Sequence, residues 1–587
     1  NTNPDYYYYN QYHNSTDWKE QVYRNGFSQN YNINVDGGDD VASYNLSVGY
    51  SKLNSTLKYN NMDRINIRFN TDILFSSKLS TRIDASFANV TRNLRNDAAP
   101  SGYEEGTPTS PSFLAYTKSP FMNPYSYGNG VFSDTKLDTQ EESYLDEALS
   151  LYPEYNYKLG NPYALNEYAD GKIKNRFDNS LLNIAVTPKF QFNPYLSLSD
   201  HFSYSLVNTN EKYYTPVLGI PSYFVKSVNA QCTNEVRSLA SKQNSVQNDA
   251  RLSWQNRFTA HDISVFAGVR MNFENFTSNS QLGYNTGNDK TPFMSSSLAH
   301  AQKNGVDDSW RTVDAYLQAN YGLYGKYFLQ GNLTATSSSR FGKEAKGGMK
   351  MFGVSWGVFP SVQGAWVMSN EPWFTKQNVI SYLRLTAGYD VSGNDDIDSY
   401  ASRSYFASSI FLNSKYSGLT FANIGNNTIK WETTRRFNVG IDAKIANRID
   451  IDFNFYKSRT NDLLSLQTLG FLSGIDHNWT NDGKIQNTGF DVSLIGKIIA
   501  HKDWTWQVGA SLGHYKNKVI SLGGGQTRIL NSFYDATILT EVGKPVNLFY
   551  GYKTNGVYAT TDEALSEGKY IPGANGVTKT YFEGGDM

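Results

Sequence analysis

Between Phe437 and Ile445 the chain alternates strictly: Phe437, Val439, Ile441, Ala443 and Ile445 are apolar, while Asn438, Gly440, Asp442 and Lys444 are polar or small. The pattern restarts at Ile449, Ile451, Phe453 and Phe455, set against Asp450, Asp452 and Asn454. Successive side chains of a strand point to opposite faces, so this segment predicts a long hairpin with one apolar and one polar face. The predicted pairs are 27–35 with 41–50, 63–75 with 79–92, 175–190 with 195–207, 247–259 with 262–275, 311–322 with 325–337, 352–368 with 381–391, 429–445 with 448–460, and 484–500 with 503–517. Many of these runs exceed the roughly 5–6 residues of an ordinary soluble strand. Long alternating strands whose second face is polar predict an all-β fold, a large antiparallel transmembrane β-barrel.

The connections carry the predicted topology. Tight turns are expected at Asp36-Gly37-Gly38-Asp39-Asp40, Phe192-Asn193-Pro194, Ala260-His261, Ala446-Asn447 and His501-Lys502. Long, irregular links are expected at 93–174, 208–246, 276–310 and 392–428. An antiparallel series returns to the same rim at every second connection, so short and long links should segregate. In outer-membrane barrels the short ones face the periplasm.

Composition changes the picture in three ways. Aromatic residues make up 15% of the 587 residues, with 43 Tyr, 33 Phe and 10 Trp, which suits the girdles at the two barrel interfaces. A mean hydropathy of -0.52, with no run of about 18 apolar residues, excludes a spanning helix but not a barrel, whose polar face and loops dilute the apolar band. A formal charge of -1 provides no basic stripe for nucleic acid, and one cysteine, Cys232, excludes disulfide scaffolds and thiolate metal clusters.

Several segments then resemble a known family. Thr16-Asp17-Trp18 and the run from Arg24-Asn25-Gly26-Phe27 to Asp36-Gly37-Gly38 are similar to the early barrel of SusC/RagA-type TonB-dependent transporters of Bacteroidetes. So are Tyr327-Phe328-Leu329-Gln330, Ser339-Arg340-Phe341-Gly342, Phe359-Pro360-Ser361, Ala365-Trp366, Ser369-Asn370-Glu371, Leu383-Arg384-Leu385 and Ser392-Gly393-Asn394. Lys430-Trp431-Glu432-Thr433-Thr434, Asn487-Thr488-Gly489-Phe490 and Phe549-Tyr550-Gly551-Tyr552 continue the series in family order. The resemblance implies a plugged barrel of about 22 strands. Of these, residues 1–587 would supply sixteen, with one or two more at 1–15 and 546–559, and without the amino-terminal plug or the last strands.

Candidate chemistry is sparse. The seven histidines form no HxxxH or HExxH pair. Asp395-Asp396-Ile397-Asp398 lacks the glycine and final glutamate of a calcium loop, Tyr400 and Phe406 standing in their places. Gly523-Gly524-Gly525 is followed by Gln526-Thr527, not by the Lys-Ser/Thr of a phosphate loop. No metal, cofactor or catalytic constellation is expected. The loop aromatics Trp310, Trp479, Phe533 and Tyr534, and the Tyr- and Pro-rich stretch 103–168, are the candidates for contacting cargo. Aromatic faces stack on sugar rings and apolar side chains, although such rings equally serve as packing.

The resemblance implies import of a large nutrient, an oligosaccharide or oligopeptide, through the bacterial outer membrane. The implied partners are a SusD-like surface lipoprotein, TonB acting through the plug region, and outer-membrane lipid. A different class of role stays open: a structural or docking subunit held against other outer-membrane proteins.

Overall fold

The computed structural model describes residues 3–5, 9–94, 110–128, 131–136, 160–163, 165, 175–220, 222–225, 228–298, 300–374, 379–411, 416–469, 474–475, 477–533, 536–553, 556–572 and 579–586. The chain divides into two compact units. One comprises 1–324, 330–340 and 349–358; the other comprises 325–329, 341–348 and 359–587.

The first unit is built on an antiparallel sheet of nine strands. They are β1 (Phe27–Gly38), β2 (Ala42–Asn54), β3 (Asn61–Ser76), β4 (Leu79–Asn93), β5 (Arg176–Asn193), β6 (Leu196–Thr215), β7 (Glu235–Phe258), β8 (His261–Tyr284) and β9 (His300–Leu323). Each pairs with the next in sequence. Strands β10 (Tyr327–Ser338) and β11 (Val354–Val367) each contribute to both units. In the second unit the ladder runs from β11 through β12 (Ile380–Asn394), β13 (Glu432–Ile445), β14 (Ile449–Asn461), β15 (Lys484–Ala500) and β16 (Thr505–Ser521).

Register explains why alternation matters. One row of partners across the first unit reads Asn34, Ser47, Arg68, Ser86, Asn183, Ser205, Ser245 and Glu274. The adjacent row reads Val35, Leu46, Phe69, Ala85, Ile184, Tyr204, Val246 and Phe273. In the second unit Leu385, Ile441, Phe453 and Val492 are partners, and so are their neighbours Arg384, Asp442, Asp452 and Ser493. A slip of one residue would move every apolar side chain to the polar face, so the pattern holds the register.

The tight turns are explained by local chemistry. Asp39 accepts the amides of Val41 and Ala42 at 2.8 Å each, closing β1–β2. Asn193 accepts those of Tyr195 and Leu196 at 2.9 and 3.0 Å, closing β5–β6. Ala446 and Asn447 both take positive φ, 49° and 55°, in the three-residue turn between the paired Ile445 and Ile449, where the Arg448 amide donates to the Ile445 carbonyl at 2.9 Å. Within each unit the short connections fall at one end and the longer links at the other.

Two expectations change. The links at 208–246 and 276–310 are largely strand, because β7, β8 and β9 are each 24 residues long. On β8 the apolar face holds Ile263, Val265, Ala267, Val269, Met271 and Phe273, then turns polar at Asn275, Thr277 and Asn279. Eleven residues match the roughly 9–11 that cross a membrane as a tilted strand. The rest of the hairpin continues because backbone pairing persists where apolar patterning stops. Residues 1–15 hold no strand among those described; Tyr9–Tyr12 is a helical turn. Residues 548–550 do form a strand, but in a small sheet with 528–533 and 536–541.

The packed core of the first unit lies beyond that apolar band. Leu114, Leu165, Ile220, Tyr223, Val225, Cys232 and Tyr284 cluster at the long-link end. Asp289 fastens the cluster's loops: it accepts Tyr214 Oη at 2.7 Å and the amides of Val217 and Leu218 at 2.8 and 3.1 Å. Burial pushes the Cys232 thiol up to about 11, with Glu235 adding to the effect. In the second unit Ile397, Ala401 and Ile429 form the corresponding core of the long links.

Candidate binding face

Trp310 lies inside β9, not in a loop, and its register partner is Glu274. It shares parity with Thr312, Asp314, Tyr316, Gln318 and Asn320, so its ring stands on the polar face. Glu274 accepts from Ser245 Oγ and from Gln243 Nε2, the latter at 3.3 Å. Arg311 and Ser339 tie the chain after β10 to β9, with reciprocal contacts of 2.9 Å through their backbone groups and the Ser339 hydroxyl. This puts the next residue, Arg340, over the Trp310 ring at 4.9 Å. Trp310 therefore presents an indole stacked on a guanidinium beside a carboxylate, at the level where the apolar band of β8 ends.

Two more arginine–aromatic pairs lie on the same face, closer to the short turns. Tyr316 crosses over Gly268 and donates to Asp249 Oδ1 at 2.7 Å, while Arg270 reaches Asp249 Oδ2 at 2.9 Å and lies 5.8 Å from the Tyr316 ring. A Cβ on Gly268 would stand 2.5 Å from Tyr316 Cζ, so glycine is what lets the ring lie flat across the strand. Arg251 stands 5.7 Å from the Phe266 ring. Sequence reading missed these groups, yet the signal was present: an aromatic at polar parity within a long strand is turned away from the apolar face.

The second unit has a charged polar face. Arg384 pairs with Asp442 at 2.6 Å, Arg436 with Asp390 at 2.9 Å and Lys444 with Asp450 at 3.1 Å. Trp479 sits in a hairpin formed by 464–468 and 477–481, where its indole N–H donates to Asp398 at 2.8 Å and its ring packs on the Ile397 core. Trp310 and Trp479 thus belong to different units. Phe533 ends the strand 528–533, but its side chain and the whole of Tyr534 lie outside the described residues, as does most of 103–168.

At the edge of the second unit's sheet, Glu371 is 7% exposed and accepts from Lys326 Nζ at 3.1 Å, Tyr327 Oη at 2.6 Å and Trp366 Nε1 at 3.2 Å. The Tyr327 hydroxyl and the Lys326 ammonium hold its carboxyl below the usual range. This cluster staples the 368–374 turn. Among the described residues no group of three or more His, Cys, Asp or Glu could hold a metal. The polar face can stack and hold charge.

Comparison with known proteins fits this geometry. The family described as TonB dependent receptor-like, beta-barrel matches residues 143–581. The chain is 23% identical to TonB-dependent receptor P3 of Formosa agariphila over 93% of its length, and 24% identical to TonB-dependent receptor SusC of Bacteroides thetaiotaomicron over 94%. It spans about half the length of these curated relatives, 51% and 55%. The RagAB peptide transporter structure superposes with a TM-score of 0.73 at 20% identity, covering 92% of this chain and 56% of that one. At that identity the likeness concerns the fold. The apolar face is accordingly the lipid face of an outer-membrane protein, and the chain belongs to the TonB-dependent receptor-like β-barrel family, of the SusC/RagA type.

Proposed function

We propose that the complete protein imports a large hydrophilic nutrient, an oligosaccharide or oligopeptide, across the outer membrane, driven through TonB and paired with a SusD-like surface lipoprotein. The observation that carries this reading is the aromatic and charged polar face of β7–β9, opposite a lipid-facing apolar band. Hydrated cargo is bound by stacking and charge-assisted hydrogen bonds, and both are present along that face. The relatives include a receptor named SusC and a peptide transporter, which supports import as the class of activity. The family is of the receptor type, and the proposed role needs no bond-making chemistry.

In this reading Trp310 contacts cargo directly near the outer end of the apolar band. Trp479 shapes the outer loops through Asp398, while Phe533 and Tyr534 stay candidates for contacting cargo on their aromatic character alone. The test is deletion of the full gene and growth on oligosaccharides or oligopeptides as sole nutrient, with affinity purification of the tagged protein. Import predicts a growth defect on one nutrient class, restored by complementation, and co-purification of one lipoprotein. Normal growth on every nutrient, with several unrelated outer-membrane proteins recovered instead, would favour the docking role.

A further inference from the structure

The lipid-facing side of β5 to β8 continues beyond its apolar band. The last apolar partners there, toward the long links, are Leu182 and Leu206. By alternate residues on the same face, Asn208, Asn210 and Lys212 follow on β6, opposite Ser180, Asp178 and Arg176 of β5. Their partners on β7 are Lys242, Ala240 and Ser238, which in turn meet Thr277, Asn279 and Gln281 of β8. Beyond these, the register partners Tyr214 and Val236 are packed under Met294 and Leu298. A Cβ on Gly283 would stand 2.8 Å from Leu298 Cδ1. The link after β8 therefore folds back over this outer face, and a polar shelf lies between it and the apolar band. A segment lodged inside the barrel leaves the shelf uncovered.

Amides and hydroxyls make up most of the shelf. Arg176, Lys212 and Lys242 are exposed on it, against one acid, Asp178, which takes Arg176 at 2.6 Å and the Thr91 hydroxyl at 2.6 Å. Among the described residues no carboxylate lies within ion-pair distance of Lys212 or Lys242. We propose that this shelf binds the phosphorylated sugar headgroup of a glycolipid in the outer leaflet. Surplus cations beside a membrane surface attract phosphate, and the amides and hydroxyls match sugar hydroxyls. Height selects the class of lipid. Six residues separate Leu206 from Lys212, about 20 Å along a strand and about 14 Å in height at a tilt of about 45°. The polar layer of a phospholipid leaflet is only about 5–7 Å deep. Lys212 thus stands above phospholipid phosphates, where a sugar headgroup reaches, while the acyl chains of the same lipid lie on Leu182 and Leu206.

The test is microscale thermophoresis on the purified full-length protein in detergent. The probes are rough lipopolysaccharide, the same lipid after dephosphorylation, and phosphatidylglycerol. The phosphorylated glycolipid is expected to bind at least about tenfold more tightly than its dephosphorylated form, the worth of a charge-assisted hydrogen bond. The Lys212→Gln/Lys242→Gln double variant should erase that preference, and Lys212→Arg/Lys242→Arg should keep it. Lys78→Gln/Lys189→Gln, which removes two charges near the short turns, should keep it as well. Heat-modifiable electrophoretic mobility establishes that each variant folds. Equal binding of the two glycolipid forms, or binding of neither, would overturn the site. Loss of the preference in the Lys78→Gln/Lys189→Gln variant would overturn it too, since general charge would then explain the binding. Phosphatidylglycerol binding as tightly as the phosphorylated glycolipid would overturn the sugar headgroup. The gene-deletion growth experiment reads none of these quantities, so the import reading and this site fail separately.

Discussion

Asp442 on β13 takes the Arg384 guanidinium of β12 at 2.6 Å, and the two are register partners on the polar face. One residue away, Ile441 pairs with Leu385 on the opposite face. Adjacent positions of one strand therefore meet opposite solvents. Replacing Ile441 with Arg should cost about 2–4 kcal/mol if it lies near the bilayer midplane. Asp442→Asn, which leaves a partly exposed pair incomplete, should cost about 1 kcal/mol or less. Urea unfolding of the full-length protein in lipid vesicles measures both, and equal costs would contradict the facing.

Gly268→Val should destabilise the first unit by about 1–3 kcal/mol, as overpacking does. The added Cβ meets the Tyr316 ring at 2.5 Å and the Ala250 carbonyl oxygen at 2.8 Å, and the ring cannot swing away without releasing Asp249. Tyr316→Ala in the same background should recover part of the loss, which thermal unfolding of single and double variants will show.

Glu371 predicts a pH dependence. Its folded carboxyl titrates below its ordinary value of 4.5, so its contribution to stability is fully present above about that pH and is lost as pH falls through the folded value. The stability gap between the native protein and Glu371→Gln should shrink on acidification through that window. A gap that stays constant from neutral pH to below the folded value would show that the charge does not hold the turn.

Cys232 should resist maleimide in the folded protein. It is 0% exposed, and its thiol is pushed up to about 11, so little thiolate exists at neutral pH. Labelling should become rapid only when the long-link core of the first unit opens. Fast labelling under native conditions would mean that this core is not packed.

Trp310 and Trp479 should separate in mutagenesis. Trp310→Ala is expected to weaken cargo binding with little change in unfolding. Trp479→Ala removes a hydrogen bond and a packing surface, and should loosen 395–431 by about 1–3 kcal/mol. Hydrogen exchange of that segment, set beside binding isotherms, distinguishes the two roles.

Much of the architecture was legible because period-2 alternation ties side-chain chemistry directly to a face. From Phe437 to Phe455 the residues themselves state which positions share a side, and turn residues such as Asp39 and Asn193 mark where strands reverse. The candidate site was legible only in fragments. Trp310 stood out as an aromatic, but its position within a 24-residue strand did not, since Asn275, Thr277 and Asn279 end the apolar signal while the backbone ladder continues.

Sequence by itself determined the strand pattern, the tight turns and the opposition of apolar to polar faces, because each follows from local geometry. Tertiary structure alone decided which polar groups meet. Arg340 reaches Trp310 through the Arg311–Ser339 tie, and Tyr316 reaches Asp249 by crossing Gly268. Arg82, Lys189 and Arg251 come from three different strands to line one cavity. The physical reason is that pairing brings together residues tens of positions apart: alternation fixes the face each side chain takes and forbids a slip of one, but it does not say which polar residue of the next strand stands alongside.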